Sequence, residues 1–326
     1  MGVLEGKVAA ITGAGRGIGR AVALLMAEEG ARIVVNDPGA GPDGVGFDQG
    51  PADQVVAEIV AQGGEAVPSY DSVASMAGGQ RIVQTALDHF GRIDIVVNNA
   101  GILRDRMIFN MTEEEWDAVI AVHLKGHFTC TKPASVVMRQ RRSGRIINFS
   151  SESGLHGNAG QANYGAAKAA IAGFTRVVAR DLGRYGVTCN AIAPRAWTRL
   201  TATIPQGQPA PAAAGPGRRP QADAPRPDQL QQMAPDYVAP MVCYLASDDA
   251  WNINGQLFWV FGGNVALLQH PLPWRTAYKP GVWTLDELSE MVPRLLDGTR
   301  NPAPPPEDLE VPGRPQAEER PQVPAS

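Results

Sequence analysis

The amino-acid sequence predicts an α/β protein, in which a single doubly wound domain carries a parallel sheet with helices on both faces. Short, continuously apolar runs recur along the chain, as expected for strands that are buried on both faces of a parallel sheet. Between these runs lie segments whose apolar residues have helical spacing. A glycine-rich turn, TGAGRGIG, joins the first strand to the first helix. Strands that alternate with helices in this way build βαβ units.

The first βαβ unit contains the pattern of a dinucleotide-binding site. The apolar run Lys7–Thr12 precedes the glycine turn, the helical pattern ends at Gly30, and the strand Arg32–Val35 leads to Asp37. An acidic residue about twenty residues after the turn is the context that such a site requires. Glycines let the backbone approach a pyrophosphate, and the helix N-terminus supplies N–H groups. The candidate cofactor ligands of this unit are Gly13, Arg16, Gly17, Ile18, Gly19 and Asp37.

Further apolar runs complete the predicted sheet. They are Glu65–Tyr70, Ile93–Val97, Arg145–Phe149, Thr188–Ala193 and Gln256–Phe261. Polar or glycine-rich residues follow several of them, including Asp71 after the first run and the motif NNAG after the second.

The stretch from Ser151 to Lys168 contains the pattern of an acid–base site. Tyr164 and Lys168 are four residues apart, so a helix that begins near Asn163 places them on one face. A free phenol titrates near pH 10 and is a poor base at neutral pH. A lysine ammonium one turn away is expected to lower the pKa of Tyr164. Ser151, at the end of the preceding strand, would hold the oxygen of an alcohol or a ketone.

Composition excludes several classes of function. The 326 residues, 44% of them hydrophobic, suffice for one large core or at most two modest ones. A net charge of −4 without a long basic run gives no support to nucleic-acid binding. The widely separated Cys130, Cys189 and Cys243 predict reduced, buried thiols, a cytoplasmic location and no metal site. No apolar run approaches the length of a membrane span, and we expect no signal peptide.

Three motifs, TGAGRGIG, NNAG and S-x12-Y-x3-K, each occur in the slot expected for one family. Over residues 4–264 the chain resembles the short-chain dehydrogenase/reductases. The resemblance implies a Rossmann-type domain with a seven-stranded parallel sheet. It also implies that Ser151, Tyr164 and Lys168 are catalytic. VVNDPGAGPDGVG and GNAGQANYGAAK are similar to the (3R)-hydroxyacyl-CoA dehydrogenase domain of peroxisomal multifunctional enzymes, and to bacterial relatives in acyl-CoA and steroid side-chain oxidation.

The resemblance implies further cofactor contacts. They are Asp71 on the adenine, Ser72, the NNAG residues Asn99, Ala100 and Gly101, the pair Pro194 and Thr198, and Tyr164 and Lys168 at the nicotinamide ribose. The NNAG segment has an alternative role in stabilising the centre of the sheet. His123 stands where most members of the family carry an asparagine, and we interpret it as a structural helix residue rather than a base.

Two residues lead to opposite predictions about the choice between NAD and NADP. Arg16 matches a position that NADPH enzymes use for the 2′-phosphate, whereas Asp37 would bind a free ribose hydroxyl and repel a phosphate. We expect Asp37 to dominate, and therefore predict NAD. The leading function is oxidation of a 3-hydroxyacyl-CoA thioester to the 3-oxoacyl-CoA. The alternatives are an NADPH-dependent 3-oxoacyl or polyketide ketoreductase and, in another class, a non-catalytic dinucleotide sensor.

The sequence predicts three regions. Residues 1–264 form the domain, with a proline-rich substrate-side loop at Thr203–Asp228; residues 265–300 form an extension, and residues 301–326 a disordered tail. In the extension, Thr284 and Glu287 form a capping box for a short helix that Pro293 would end. We expect this segment to lie over the outside of the domain, across a subunit boundary. The family's interface helices, near Thr112–Gln140 and Asn163–Arg184, imply a homodimer or homotetramer.

Overall fold

The structure, a computed structural model of the chain, describes residues 2–196, 233–299, 301–306, 309 and 311–312. Thr198, the predicted loop Thr203–Asp228 and most of the predicted tail lie outside the described residues. The chain divides into two compact units. The first comprises Met1–Pro205 and Pro225–Gln269, and the second comprises Gln206–Ala224 and His270–Ser326.

The first unit contains one sheet, whose strands have the order β3-β2-β1-β4-β5-β6-β7-β8. All neighbouring pairs are parallel except β7 and β8. The strands are β1 Val8–Thr12, β2 Arg32–Asn36, β3 Ala66–Ser69, β4 Ile95–Asn98, β5 Gly144–Phe149, β6 Val187–Arg195, β7 Leu257–Phe261 and β8 Asn264–Leu267. Each predicted strand therefore exists, with its ends shifted by one or two residues.

Helices cover both faces of this sheet. In the first unit they are α1 Gly17–Glu28, α2 Gly50–Ala61, α3 Met76–Phe90, α4 Glu113–Ile120, α5 Gly126–Arg141, α6 Glu152–His156, α7 Ala162–Gly183 and α8 Ala239–Ala246. One apolar core joins α1, α2 and α8 to the sheet, and another joins α3, α5 and α7 to its opposite face. The doubly wound α/β prediction is thereby confirmed. Because the helices cover the two faces, a ligand site is expected at the carboxyl ends of the strands.

The predicted seven-stranded parallel sheet is wrong by one strand, because β8 adds an antiparallel eighth. Phe261 pairs with Asn264, so only Gly262 and Gly263 form the connection. Gly262 has φ +48°, a conformation that glycine adopts at little cost. A Gly-Gly pair between two apolar runs is a hairpin signal. The sheet thus continues to Leu267, beyond the predicted domain end at residue 264.

Two predicted helix boundaries also need correction. The predicted continuous helix Thr112–Gln140 is divided, because a π-helical segment, Ala121–Lys125, separates α4 from α5. In the second unit, α9 covers Leu285–Leu295 and continues through Pro293. Pro293 lies in the last turn, where few helical residues remain to be disrupted. The predicted helix near Asn163 is confirmed as α7.

The helix of the second unit, α9, has hydrogen bonds at both of its ends. The capping box of α9 is confirmed, since Thr284 Oγ accepts from Glu287 N at 3.3 Å and Glu287 Oε2 accepts from Thr284 N at 2.7 Å. The Arg275 guanidinium lies 4.3 Å from the ring centroid of Trp274, and donates to the carbonyl of Leu295 at 2.9 Å. No residue of α9 is buried.

The three cysteines are buried and free, as predicted. In the part of the chain that the structure describes, none of the helices combines the length and apolarity needed to cross a bilayer.

Candidate active site

The structure brings Ser151, Tyr164 and Lys168 together at the carboxyl end of β5. Ser151 is the N-cap of α6, and its hydroxyl accepts from Ser153 N at 3.2 Å. α7 carries Tyr164 and Lys168 one turn apart, with the Lys168 ammonium 5.5 Å from the centroid of the Tyr164 ring. The Ser151 side chain also lies close enough to Tyr164 to act on the pKa of the phenol, which it lowers. An alcohol oxygen placed between Ser151 and Tyr164 could therefore contact both hydroxyl groups.

The neighbouring Ser150 has a different role. Its hydroxyl is buried and donates to the Lys168 carbonyl at 2.8 Å. Successive strand residues point to opposite sides, so only one of the two serines faces the site. Ser150 thereby ties the strand end to α7.

Burial controls the protonation of Tyr164. Desolvation raises the pKa of Tyr164 to about 12, the Ser151 side chain opposes that rise, and the Asp105 carboxylate adds to it. The prediction that Lys168 lowers this pKa is wrong for the protein without ligands. Tyr164 as a whole is nevertheless only half-buried.

Burial also explains why Lys168 has so little effect. Desolvation lowers the pKa of Lys168 to about 7, so near neutral pH a large fraction of this side chain is uncharged. Its Nζ donates to the Phe149 carbonyl at 2.6 Å. The cation expected to stabilise a phenolate is therefore itself weakened by the same environment.

Two buried histidines, His123 in the π-helical segment and His127 in α5, lie near the candidate site. The His123 ring packs edge-to-face against Tyr164, with 5.0 Å between the ring centroids. His123 Nε2 contacts the Ile102 carbonyl oxygen at 2.8 Å. Burial, and then the charge of Lys168, hold the pKa of His123 well below its usual value. An imidazole whose pKa is held this low is a weak base, which agrees with the predicted structural role of His123.

The second histidine, His127, holds the end of β5. Its Nδ1 donates to the His123 carbonyl at 2.6 Å, and its Nε2 accepts from Phe149 N at 3.3 Å. Burial lowers its pKa to about 3, so the ring is neutral. These bonds assign the proton to Nδ1 and anchor the residue whose carbonyl receives Lys168.

Asp105 is a residue that the sequence reasoning missed. Its Oδ2 accepts from Gln161 Nε2 at 2.7 Å, while Oδ1 is buried without a partner among the described residues. Burial raises the pKa of Asp105. The bridge between Arg106 and Gln161 brings this loop to the start of α7. Its separation from α7 in the sequence left no local signal.

The glycine turn fits a dinucleotide at its pyrophosphate. No side chain caps the N-terminus of α1 in the described structure, and its first turn contains no acidic residue. The first N–H groups of a helix lack intrahelical partners and attract anions. Gly13 has φ +64°, and a Cβ there would lie 2.8 Å from Ala100 Cα. Gly13 thus lets the turn pack closely against Ala100, and the uncapped N-terminus of α1 is suited to an anion such as a phosphate.

Asp37 and Arg16 lie beside this turn. Asp37 accepts from Gly15 N at 2.9 Å and from Gly39 N at 2.7 Å, so its carboxylate is held in place. Arg16 is the N-cap residue of α1, with Nη2 4.0 Å from Asp48. Both are half-buried.

The NNAG segment packs against the first strand. Thr12 Oγ accepts from Asn99 N at 3.0 Å and from Ala100 N at 3.1 Å. The Asn99 side chain donates to the carbonyls of Thr12 and Gly13 at 3.0 and 3.1 Å. This side chain therefore stabilises the centre of the sheet, as in the alternative interpretation. Gly101 packs against His123, because a Cβ there would lie 2.5 Å from the ring.

The remaining predicted cofactor residues lie at the same edge, apart from one. Asp71 pairs with Arg81 at 2.6 Å, and Ser72 follows it at the surface. Pro194 lies near the end of β6. Thr198 is outside the described residues. Among those described, no group of three or more His, Cys, Asp or Glu side chains could hold a metal ion.

Comparisons with known proteins agree with this architecture. The family model for short chain dehydrogenase matches residues 7–207. The peroxisomal multifunctional enzyme type 2 of Mus musculus is 43% identical over 266 residues, which are 81% of this chain and 33% of that protein. This chain thus spans about a third of the length of the mouse enzyme.

A second relative is matched over most of its length. The hydroxyacyl-CoA dehydrogenase ChsB1 of Mycobacterium tuberculosis is 43% identical over 276 residues, which are 82% of this chain and 81% of that protein. Among solved structures, a short chain dehydrogenase from Mycobacterium avium superposes with a TM-score of 0.77 at 44% identity, covering 93% of this chain and 99% of that one.

Proposed function

The chain belongs to the short-chain dehydrogenase family, and from that premise we propose that it oxidises a 3-hydroxyacyl-CoA to the 3-oxoacyl-CoA with NAD. It is an oxidoreductase that acts on CH–OH groups. The observation that carries the proposal is the convergence of Ser151, Tyr164 and Lys168 at one strand end. The name of the ChsB1 relative, a hydroxyacyl-CoA dehydrogenase, supports the acyl-CoA class as a proposal for this chain. We include steroid-bearing thioesters in that proposal.

In the proposed reaction, Tyr164 receives the proton of the substrate hydroxyl while Ser151 holds the same oxygen. When bound, NAD accepts the hydride, so an alcohol and NAD⁺ give a ketone, NADH and a proton. Lys168 would bind the nicotinamide ribose, and Gly13, Gly17, Ile18 and Gly19 would hold the pyrophosphate. General acid–base groups of this kind are commonly worth about 10²–10⁴-fold in rate.

The high pKa of Tyr164 bears on the direction of the reaction. A phenol with a pKa of about 12 is a proton donor at neutral pH, which suits reduction of a ketone. Oxidation needs the phenolate, and the positive charge of NAD⁺ favours it once the cofactor is bound. We therefore infer that the oxidation rate rises with pH.

We propose that Asp37 selects NAD, because a carboxylate accepts hydrogen bonds from a ribose 2′-hydroxyl and repels a 2′-phosphate. Further proposed contacts are Asp71 and Ser72 near the adenine, the backbone of Asn99, Ala100 and Gly101, and Pro194 and Thr198 near the nicotinamide. The alternative, an NADPH-dependent 3-oxoacyl ketoreductase, rests on Arg16 in the glycine turn. The non-catalytic sensor would have no use for the complete Ser–Tyr–Lys set.

We propose that the protein forms a homodimer or homotetramer in the cytoplasm. Large apolar side chains are exposed on the helices implied in the interface: Trp116 on α4, Phe128 and Val136 on α5, and Val177 on α7. Covering such side chains removes apolar surface from water. Light scattering at micromolar concentration tests the assembly, and a monomer would contradict it.

The decisive experiment follows NAD⁺ reduction with straight-chain and steroid-bearing (3R)-hydroxyacyl-CoA thioesters, and with the matching free alcohols. We expect turnover with at least one thioester class and little with the free alcohols. Activity on the alcohols alone would remove the acyl-CoA class. NADPH oxidation with 3-oxoacyl thioesters, in the absence of any NAD⁺-linked reaction, would favour the ketoreductase.

A further inference from the structure

The β2–α2 loop, residues 38–49, brings a second carboxylate to the glycine turn. At the base of the loop, Asp48 N donates to the Pro38 carbonyl at 3.0 Å. Gly39 lies against the same point with φ +72°, where a Cβ would be 1.8 Å from the Asp48 carbonyl oxygen. Only glycine permits this approach. The position of Asp48 relative to the end of β2 is therefore determined by backbone contacts.

The tip of the loop is attached to the segment after β4. Leu103 N donates to the Pro42 carbonyl, and Arg104 Nε donates to the Asp43 carbonyl, both at 2.9 Å. Gly44 contacts the Ile102 side chain. Because β1 lies between β2 and β4 in the sheet, the loop crosses the carboxyl end of β1, where the glycine turn begins.

The two oxygens of Asp48 have different neighbours. Oδ1 accepts from Gly50 N at 2.9 Å, at the first residue of α2, and Oδ2 lies 4.0 Å from Arg16 Nη2. The other terminal nitrogen of Arg16, Nη1, is buried without a hydrogen-bond partner in the described residues. The Arg16 guanidinium therefore has Asp48 as its neighbouring carboxylate, and Asp37 contacts the same turn through Gly15 N.

We propose that Asp48 is a second determinant of cofactor choice, and that it acts by neutralising Arg16. This inference rests on the proposed dinucleotide site and deepens its preference for NAD. Arg16 carries one positive charge, whereas Asp37 and Asp48 together carry two negative charges. With Asp48 present, a ribose 2′-phosphate would meet a net negative group. Without Asp48, the charges of Arg16 and Asp37 cancel.

The ion pair between Arg16 and Asp48 is expected to contribute little to the stability of the fold. The side chains of Arg16 and Asp48 are 40% and 62% exposed, and exposed pairs contribute little to folding. A 2′-phosphate, in contrast, carries nearly two charges and must compete with Asp48 for the Arg16 guanidinium. Loss of the Asp48 charge should therefore change nucleotide choice while leaving the midpoint of thermal unfolding almost unchanged.

The test uses Asp48→Asn, in which the amide oxygen can still accept from Gly50 N. We expect kcat/KM for NADP⁺ relative to NAD⁺ to rise by about three- to tenfold. Binding of 2′,5′-ADP, measured by calorimetry, should tighten by a similar factor, and binding of 5′-AMP should not change. The gain should shrink at 0.5 M salt, because ions screen charges at this distance.

Two further variants make the test specific. Asp43→Asn removes a carboxylate from the same loop, where Asp43 Oδ1 accepts only from Val45 N at 3.1 Å in the described structure, and should leave nucleotide choice unchanged. In an Arg16→Gln background, Asp48→Asn should produce no more than a minor gain, because the cation on which Asp48 acts is missing.

Each failure has a separate meaning. An unchanged ratio in Asp48→Asn, an equal gain in Asp43→Asn, or a full gain in the Arg16→Gln background would each overturn the inference. A wild-type enzyme that prefers NADP⁺ would instead refute the proposed cofactor. This preference is measured on the wild type and needs no variant. The 2′,5′-ADP measurement needs no substrate, so it remains valid if the acyl-CoA proposal fails.

Discussion

At the catalytic end of the site, Tyr164 and Lys168 are desolvated, whereas at the glycine-turn end Asp37, Arg16 and Asp48 remain in contact with water. Burial at the first end moves pKa values by several units. At the second end, charges of both signs lie beside one another in the open. The difference indicates a division of labour. It supports the two roles that we propose: the buried end for proton transfer, and the charged end for the choice of nucleotide.

The largest effect is expected from Tyr164→Phe, which removes only the hydroxyl group. Turnover should fall by about 10²–10⁴-fold, because the group that exchanges the substrate proton is lost. NAD⁺ binding, measured by protein fluorescence, should persist, because the charged end is unaffected. Retained turnover would contradict the assignment of Tyr164, and loss of binding would show that the two ends are not independent.

A tenfold effect is expected at the charged end. The wild type should prefer NAD⁺ over NADP⁺ by at least about tenfold in kcat/KM, because Asp37 repels the 2′-phosphate. Asp37→Ala should narrow that preference and leave the pH dependence of kcat unchanged. Equal use of the two cofactors by the wild type would disprove the role of Asp37.

The stability of the unliganded protein should report the burial of Lys168. An unfolded lysine titrates near 10.5, and Lys168 in the folded protein near 7. Between these values the unfolded chain binds one more proton at this residue, so Lys168 makes the free energy of unfolding rise with pH. The buried thiols, whose pKa values are raised, oppose that rise above about pH 9. The slope from Lys168 is up to about 1.4 kcal/mol per pH unit. Lys168→Met should remove that slope between pH 7 and 9.5.

Denaturant unfolding at several pH values measures this slope. Lys132→Met, at an exposed position on α5, is the matched control and should retain it. The pH range ends below 10 because the raised pKa of Tyr164 contributes stability there that is lost as the pH rises towards 12. An identical slope in Lys168→Met and the wild type would contradict the buried, partly neutral lysine.

The smallest effect is expected from removing the tail. Ending the chain after Arg300 should leave activity, assembly and stability unchanged, because the proline-rich residues beyond it carry no periodic apolar pattern.

Ending the chain after Asn264 would cut β8 at its first residue and expose β7, so activity and assembly should fall. A chain ending after Gln269 keeps β8 and isolates the contribution of the second unit. Full activity of that chain would show that residues 270–300 are dispensable.

The sequence by itself predicted the doubly wound α/β class, the strands, and the three residues that the structure brings together at the end of β5. Apolar runs and the four-residue spacing of Tyr164 and Lys168 are local patterns, and local patterns decide which residues share a strand or a helix face. The eighth strand could also have been predicted from the sequence, since Gly262-Gly263 between two apolar runs is a hairpin signal. The π-helical segment could not have been predicted, because its residues have ordinary helical composition.

Only the tertiary structure decided the protonation of the site. The spacing of Tyr164 and Lys168 predicted a lowered tyrosine pKa, but burial raises it and weakens the lysine. Desolvation depends on everything packed around a group, including His123 and Asp105, which come from distant parts of the chain. The proximity of Asp48 to Arg16 likewise depends on the tertiary structure, because the β2–α2 loop brings together residues that are far apart in the sequence.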